Sequence, residues 1–364
     1  MKVLVALLSV DFAGTERHAI ELANALAQRC KVALLLRARP AEPHRQAAFR
    51  TLRQLVAPEI QVFEASRAAP VFGLWHALLS FRPDLIHTHR ERTARIISRW
   101  SFGTPVVATV HVHFRARDFM RCDGLICLTE AEAALVPAAY RGICEVIPNW
   151  VLPHQRPSAT RLAALRAELG LSTGDFVIGT VARLEPVKGI DGLVCAFGRA
   201  KIPGARLVIV GEGSQRPALE QLAARTGVDG AVRFTGFRPD ARDLYALFDL
   251  FVLNSSDEPY GLAILEAAEA GVAVVATATQ GAKAIAEQLP IHLVPIGVPE
   301  ALEAALRPGG VDTVAPPTFA GHGIDERMGQ LQAFYEHVLA RAGKVRSQAR
   351  VTRQGVDHAP GPPR

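Results

Sequence analysis

The sequence predicts an α/β protein built from two doubly wound parallel-sheet domains. Three observations carry that expectation. Short, β-rich apolar runs alternate with helical patterns along the chain. The alternation breaks once, over Pro148–Pro157, and then restarts. The length of 364 residues suits two domains of roughly 150 residues each.

Val3–Leu8 is expected as the first buried strand. It follows Lys2 like the start of a signal peptide, but no small-x-small cleavage site follows it. A helix is expected over Thr15–Arg29, where Ile20, Leu22, Ala23 and Leu26 recur at helical spacing. Further strands are expected at Val32–Leu36, Gln61–Phe63, Leu85–Thr88, Val106–Val110, Gly124–Leu128 and Glu145–Ile147, with helical stretches between them. Pro148, Pro153 and Pro157 then end all periodicity and mark a linker, which divides the chain into domains 1–150 and 151–341. After Leu171 the strands expected are Phe176–Val181, Arg206–Val210, Val232–Thr235, Leu250–Leu253, Ala273–Ala276 and Ile291–Val294. Ile324–Arg341 reads as a closing helix able to return to the first domain. Residues 342–364 read as a basic, disordered tail ending in Pro360, Pro362 and Pro363. In such sheets ligands bind beyond the carboxyl ends of the strands, so a cleft between facing domains is the expected site.

Hydrophobic residues make up 49% and charged residues 21% of the chain, a composition that excludes disorder and collagen-like repeats. No apolar run approaches the roughly 20 residues that span a bilayer as a helix. Five scattered cysteines (Cys30, Cys122, Cys127, Cys144 and Cys195) are poor material for a disulfide framework, which points to a reducing, cytoplasmic compartment. Cys122 and Cys127 with His111 and His113 match no zinc spacing, and buried structural thiols are expected instead. The net charge of +6 is uneven: +6 over residues 1–150, −5 over 151–340 and +5 over 341–364. The basic first half is expected to face something anionic: a membrane surface, a nucleic acid or an acidic ligand.

The strongest motif runs from Ser255 to Gly271, after the strand at Leu250–Leu253. A turn opens a helix there, and the backbone N–H groups of Gly261, Leu262 and Ala263 would form a phosphate site at the positive end of the helix dipole. Glu258 lies just before that helix and Glu266 about a turn inside it. A carboxylate accepts hydrogen bonds from two vicinal hydroxyls, so two such acids suit a sugar and a ribose flanking a diphosphate. A second motif, Gly179 to Gly189, carries Arg183 and Lys188 past the end of a strand. A planar guanidinium and a compact ammonium suit a diphosphate leaving group.

Together these stretches resemble the retaining nucleotide-sugar glycosyltransferases of family 4, and the resemblance covers approximately residues 1–340. The family's glutamate, seven residues, glutamate signature is similar to Glu258 through Glu266, and its arginine and lysine loop to Arg183 and Lys188. Gly14-Thr15-Glu16-Arg17, Pro83 to His89, Pro105 to His113 and Val232 to Phe237 also match. The resemblance implies the two-domain GT-B fold, with the nucleotide-sugar donor on the C-terminal domain and the acceptor on the N-terminal one. By it, Arg183 and Lys188 grip the diphosphate, Glu266 takes the ribose hydroxyls and Glu258 hydroxyls of the transferred sugar. Gly261 and Leu262 give backbone amides, with Tyr260 beside them at the sugar pocket. Gly14 and Thr15 stand for the glycine-rich loop near the donor, His111 for the histidine near the donor sugar, and Gly211, Gly213 and Phe237 for the nucleobase side. His87 and His89 sit at another strand end.

Four places depart from the family pattern. Gly14-Thr15 replaces paired glycines, Asn149-Trp150-Val151-Leu152 lacks the linker acid, Pro259-Tyr260 replaces Gly-Phe, and Thr279 to Lys283 lacks a second glycine. The resemblance further implies retention at the anomeric carbon. The chain has no Asp-x-Asp, so no metal or other cofactor is expected, Arg183, Lys188 and the helix terminus neutralising the leaving group. The expected acceptor is a lipid-linked or surface-polysaccharide precursor, reached by peripheral contact of the basic half with anionic membrane. A sugar-nucleotide epimerase of similar two-domain build remains an alternative, distinguished by its needing no acceptor. Nucleic-acid binding rests only on basic residues such as Arg90, Arg92, Arg95 and Arg99 beside Trp100, without a recognised motif. No Gly-x-Gly-x-x-Gly follows the first strand, which argues against a dehydrogenase.

Overall fold

A computed structural model of the chain describes residues 1–9, 14–38, 43–111, 113–309, 311 and 324–356. It divides into two compact units, residues 1–148 with 325–364, and residues 149–324. The division falls at Pro148, inside the stretch from 147 to 158 that forms no helix or strand.

The first unit contains β1 (Lys2–Leu7), α1 (Gly14–Ala27), β2 (Lys31–Arg37), α2 (Pro43–Gln54), β3 (Gln61–Ala65), α3 (Pro70–Phe81), β4 (Leu85–His89), α4 (Glu91–Trp100), β5 (Val106–Val110), α5 (Ala116–Phe119), β6 (Gly124–Cys127), α6 (Glu130–Ala133) and β7 (Ile143–Val146). Its strands pair in parallel in the order β3-β2-β1-β4-β5-β6-β7. β1, β4 and β5 are almost wholly buried, as strands covered on both faces must be, and this is why they read as unbroken apolar runs. Leu4, Ala6, Leu35, Ile86, Val106, Ala108 and Leu125 form the centre of that core.

The second unit continues with α7 (Ala159–Leu169), β8 (Phe176–Val181), α8 (Ile190–Ala200), β9 (Ala205–Val210), α9 (Arg216–Arg225), β10 (Val232–Gly236), α10 (Ala241–Leu244), β11 (Leu250–Leu253), α11 (Leu262–Glu269), β12 (Ala273–Thr277), α12 (Gln280–Ala286), β13 (His292–Val294) and α13 (Pro299–Ala305). The sheet order is β10-β9-β8-β11-β12-β13, again parallel. Ile178, Leu207, Ile209, Leu250, Val252 and Val275 lie at its core. The order reverses direction between β8 and β11, the topological switch point where doubly wound sheets bind ligands. Gly179 of β8 is glycine for a packing reason: a Cβ there would stand 2.2 Å from the Phe248 ring.

The last helix, α14 (Ile324–Val356), belongs to the first unit from residue 325. Met328, Leu331, Phe334, Tyr335 and Val338 are buried. Phe334 and Val338 press against Gly124, where a Cβ would lie within 2.9 Å and 2.8 Å of them. The helix runs on to Val356, beyond the Arg341 at which a closing helix is expected to end. The stretch 342–356 lacks proline, and Ala, Arg, Gln and Lys, all strong helix formers, make up eight of its fifteen residues. Residues 357–364, with the prolines of the expected tail, lie outside the described residues.

Candidate functional site

Four loops meet along the carboxyl edge of the second sheet, because parallel strands deliver all their carboxyl ends to one side. The loop after β8 carries Arg183 and then a single 3₁₀ turn, Pro186–Lys188, closed by Gly189 at φ 58°. It is fastened to the loop after β11. The Asn254 side-chain amide donates to the Gly189 carbonyl at 2.7 Å, and the Ser256 N–H donates to Val187 O at 2.8 Å. A Cβ on Gly189 would lie 2.2 Å from Asn254 O.

That fastening brings Lys188 to Glu258. Lys188 Nζ stands 2.6 Å from Glu258 Oε2, and both side chains are about 15% exposed (15% and 14%). Residues given separate partners in the sequence analysis are thus paired with each other across the switch point. The Arg183 side chain is exposed and makes no hydrogen bond or ion pair among the described residues. Its charge helps to lower the carboxyl of Glu185, which is held below the usual range chiefly by hydrogen bonds from the Ser214 hydroxyl and N–H.

Next to the pair, α11 opens at Gly261, whose φ of 101° is a left-handed conformation natural to glycine. No side chain caps this terminus, and the first N–H groups of a helix, here from Leu262 and Ala263, have no intrahelical acceptor. They are available to an anion. One turn on, half-buried Glu266 accepts a 2.9 Å hydrogen bond on Oε2 from the hydroxyl of buried Tyr245, which orients the carboxylate. Tyr260 is turned inward, 4% exposed, with its hydroxyl 3.4 Å from Asn149 O. Gly281 lies against it so closely that a Cβ would be 2.3 Å from Tyr260 Cα.

Gly211 and Gly213 follow β9. A Cβ on Gly211 would lie 1.9 Å from Ala182 O, and one on Gly213 2.3 Å from Leu184 O. Their missing side chains therefore let the β9 loop lie against the backbone on either side of Arg183. Phe237 follows β10 at the same edge and is 40% exposed.

In the first unit, Gly14 and half-exposed Thr15 begin α1, and His111 follows β5. Four histidines gather here. His87 and His89 share a face of β4 and stack at 4.5 Å between ring centroids, and His89 and His111 stack at 5.2 Å. His18 of α1 meets the rings of His89 and His111 edge-on, at 6.4 and 5.9 Å. His87 is held by the Tyr335 hydroxyl at 2.6 Å and by Thr109 Oγ1 at 2.7 Å. Burial pulls His18 and His87 down to about 3 and, with the neighbouring cationic forms opposing one another, keeps His89 and His111 well below the ordinary histidine range. All four are neutral at pH 7.

The 2.9 Å hydrogen bond between His89 Nδ1 and His111 Nε2 then selects a tautomer. His89 is fully buried and its Nε2 has no partner among the described residues. A stranded N–H costs more than an unused lone pair, so the proton of His89 sits on Nδ1 and is donated to His111. Neutral His111 accordingly carries its own proton on Nδ1. Nearby, buried Glu16 pairs with Arg90 at 2.9 Å.

The five cysteines are free thiols, with Cys127 and Cys144 3.6 Å apart. Among the described residues no three His, Cys, Asp or Glu side chains gather in a way that could hold a metal ion, and no helix is long and apolar enough to cross a membrane.

Residues 12–154 match Glycosyltransferase Family 4, and residues 163–307 match Glycosyl transferases group 1. The chain is a glycosyltransferase, with a family 4 domain followed by a group 1 domain. Two relatives of this glycosyltransferase come from Rhizobium meliloti, the lipopolysaccharide core biosynthesis glycosyltransferases LpsE and LpsD. LpsE is 28% identical over 279 residues and LpsD 28% over 271, each alignment spanning 74% of this enzyme and 76% of the relative. The enzyme has the GT-B fold. It superposes on Anabaena HepE, solved with UDP and glucose, with a TM-score of 0.72, 23% identity and coverage of 98% and 100% of the two chains. It also superposes on WaaG, a glycosyltransferase involved in lipopolysaccharide biosynthesis, at 0.64, with 17% identity and coverage of 94% and 95%.

Proposed function

We propose that the enzyme transfers a sugar from a nucleoside-diphosphate sugar to a lipopolysaccharide-core or similar lipid-linked precursor, at the cytoplasmic face of the membrane, with retention at the anomeric carbon and without a metal. The observation that carries this reading is the grouping at the β8–β11 switch point: the Lys188–Glu258 pair at 2.6 Å, exposed Arg183 and the uncapped start of α11. Two cations and a helix terminus answer a diphosphate, and carboxylates answer sugar hydroxyls. The names of LpsE and LpsD support the acceptor class, and the UDP and glucose bound to HepE make uridine diphosphate sugars the first donors to try.

In this reading Arg183, Lys188 and the α11 N–H groups take up the charge that grows on the leaving diphosphate. Glu266, oriented by Tyr245, receives the ribose hydroxyls, and Glu258 receives those of the sugar. His111 takes the part of the family histidine near the donor sugar. The acceptor oxygen bonds to the anomeric carbon on the face that the diphosphate leaves, and the departing phosphate oxygen takes the acceptor's proton. No side chain serves as nucleophile, and the rate comes from positioning and from charge stabilisation in the transition state.

The test is a panel of nucleotide sugars assayed with a lipopolysaccharide-core acceptor, with and without EDTA, the anomeric configuration of the product being read by NMR. Retention, EDTA resistance and a roughly hundred- to thousandfold lower kcat in Arg183→Ala are expected. Inversion, loss of turnover in EDTA restored by Mg²⁺, or epimerisation of the donor without acceptor would each refute the reading.

A further inference from the structure

The first unit carries an apolar surface that its own fold leaves uncovered. α3 has no Asp, Glu, Lys or Arg, yet only Leu74 and Ala77 of its side chains are buried. Phe72, Trp75 and Leu79 recur at i, i+3 and i+7, on one face of the helix, and Phe72 and Leu79 are 65% and 77% exposed. The stripe continues past the helix. Trp75 meets Phe72 at 5.7 Å, Phe102 at 5.3 Å and Trp100 at 6.5 Å between ring centroids. Phe102 is 69% exposed and sits at φ 50°, so the loop after α4 holds this ring outward in a backbone conformation that bulky residues avoid.

Cations frame the rings. Arg92, Arg95 and Arg99 lie at i, i+3 and i+7 on α4. Arg95 is turned to Asp118, at 3.3 Å, whereas Arg99 is stacked 6.0 Å from the Trp100 ring. Exposed Arg82 ends α3. The neighbours of Arg82 and Phe102 in the chain, Pro83, Asp84, Thr104 and Pro105, line one hollow with Leu339, Ala342 and Gly343 of α14. From that point α14 continues to Val356 with Lys344, Arg346, Arg350 and Arg353 in its sequence and no acid. The one acid on α3 and α4 is Glu91, at the start of α4.

We infer that this surface seats the first unit on an anionic lipid bilayer, its rings in the headgroup–acyl boundary and its arginines on lipid phosphates. Aromatic side chains favour that boundary, and cations beside them add attraction to anionic headgroups. A second copy would cover the rings too, but a two-fold interface through this patch would set each basic frame against its twin. The inference extends the reading that the acceptor is lipid-linked, since it places the unit assigned to the acceptor on the surface where such an acceptor resides.

The experiment sediments the full chain with vesicles of phosphatidylcholine, alone or mixed with phosphatidylglycerol, and measures donor hydrolysis separately without vesicles. The variants are Phe72→Ser/Leu79→Ser/Phe102→Ser and Arg92→Gln/Arg99→Gln, at exposed positions outside the donor site. The wild-type chain should bind mixed vesicles about tenfold or more tightly than zwitterionic ones and release in high salt. Each variant should lose about tenfold or more of that binding and hydrolyse donor at the wild-type rate. Arg183→Ala should show the opposite, full vesicle binding with turnover lowered roughly a hundred- to thousandfold, so the two readings fail separately. No vesicle binding by the wild-type chain, equal binding by the variants, or a dimer that the triple variant dissociates would overturn the inference.

Discussion

Lys188 offers a sharp test, because the proposed function sets a second anion in competition with Glu258. In the free enzyme its ammonium is 2.6 Å from Glu258; with donor bound it would face a diphosphate. At that distance, and with an effective dielectric of about 20, the attraction to Glu258 is about 6 kcal/mol before desolvation. The net worth of such a charged hydrogen bond is about 1.5–3 kcal/mol. Lys188→Met should therefore weaken uridine diphosphate binding roughly ten- to a hundredfold. Glu258→Gln keeps the shape, removes the competing charge and leaves Lys188 in place, so uridine diphosphate affinity should hold or rise severalfold while transfer slows. The double variant should bind like Lys188→Met, because without the ammonium the carboxylate has nothing to withhold. Calorimetric titration of uridine diphosphate into the three variants reads this directly. Equal affinity losses in the two single variants would refute the reasoning.

Three further outcomes are expected. His89→Leu should lower kcat/KM by about three- to tenfold by releasing the tautomer of His111, whereas His89→Asn, whose amide N–H can stand in for Nδ1–H, should recover most of it; identical rates in the two would show that His89 only fills space. Gly281→Ala drives a Cβ to 2.3 Å from the Tyr260 backbone and should cost about 1–3 kcal/mol of stability in thermal unfolding, whereas Gly174→Ala, with no atom within 4 Å of the new Cβ, should cost nothing measurable. His18 and His87 stay neutral in the folded chain down to about pH 3 but take up protons near pH 6.5 once unfolded. Stability is therefore complete above pH 6.5 and falls in acid, by about 2 kcal/mol for the pair between pH 6.5 and 5.5; urea denaturation curves that coincide at those two values would contradict the burial argument.

The strands were legible in the sequence because both faces of a parallel sheet are covered, and Val106–Val110, Phe176–Val181 and Leu250–Leu253 stand where their apolar runs predict. Edges were harder. Glu145–Ile147 was expected, but the strand is Ile143–Val146, only half buried, with limits set by pairing against Gly124–Cys127. The functional loops could be read from residue type and position after a strand. Their pairing could not: Lys188 and Glu258 are 70 residues apart and meet because β8 lies beside β11, an order that alternation of strands and helices does not fix. Tyr245 and Asn254 belong to no motif, and only the folded arrangement shows that one aims Glu266 and the other ties two loops together. His18, one histidine in an amphipathic helix, carries no signal in the sequence until β4 and β5 bring three more beside it.

The helix that completes the first unit is encoded after the whole second unit, and this sets an order on its birth. When Pro148 has been made, the first sheet has its strands but not Phe334, Tyr335 and Val338. Roughly 10–35 s of synthesis follow before they emerge, at about 5–20 residues per second. During that interval the face at Gly124 and the imidazole of His87 wait for partners, while the whole second unit can form. A nascent chain halted before residue 325 would thus display one finished unit and one unsealed, with an apolar groove open to chaperones. Quality control has a simple signal to read: turns made after the second unit close the first.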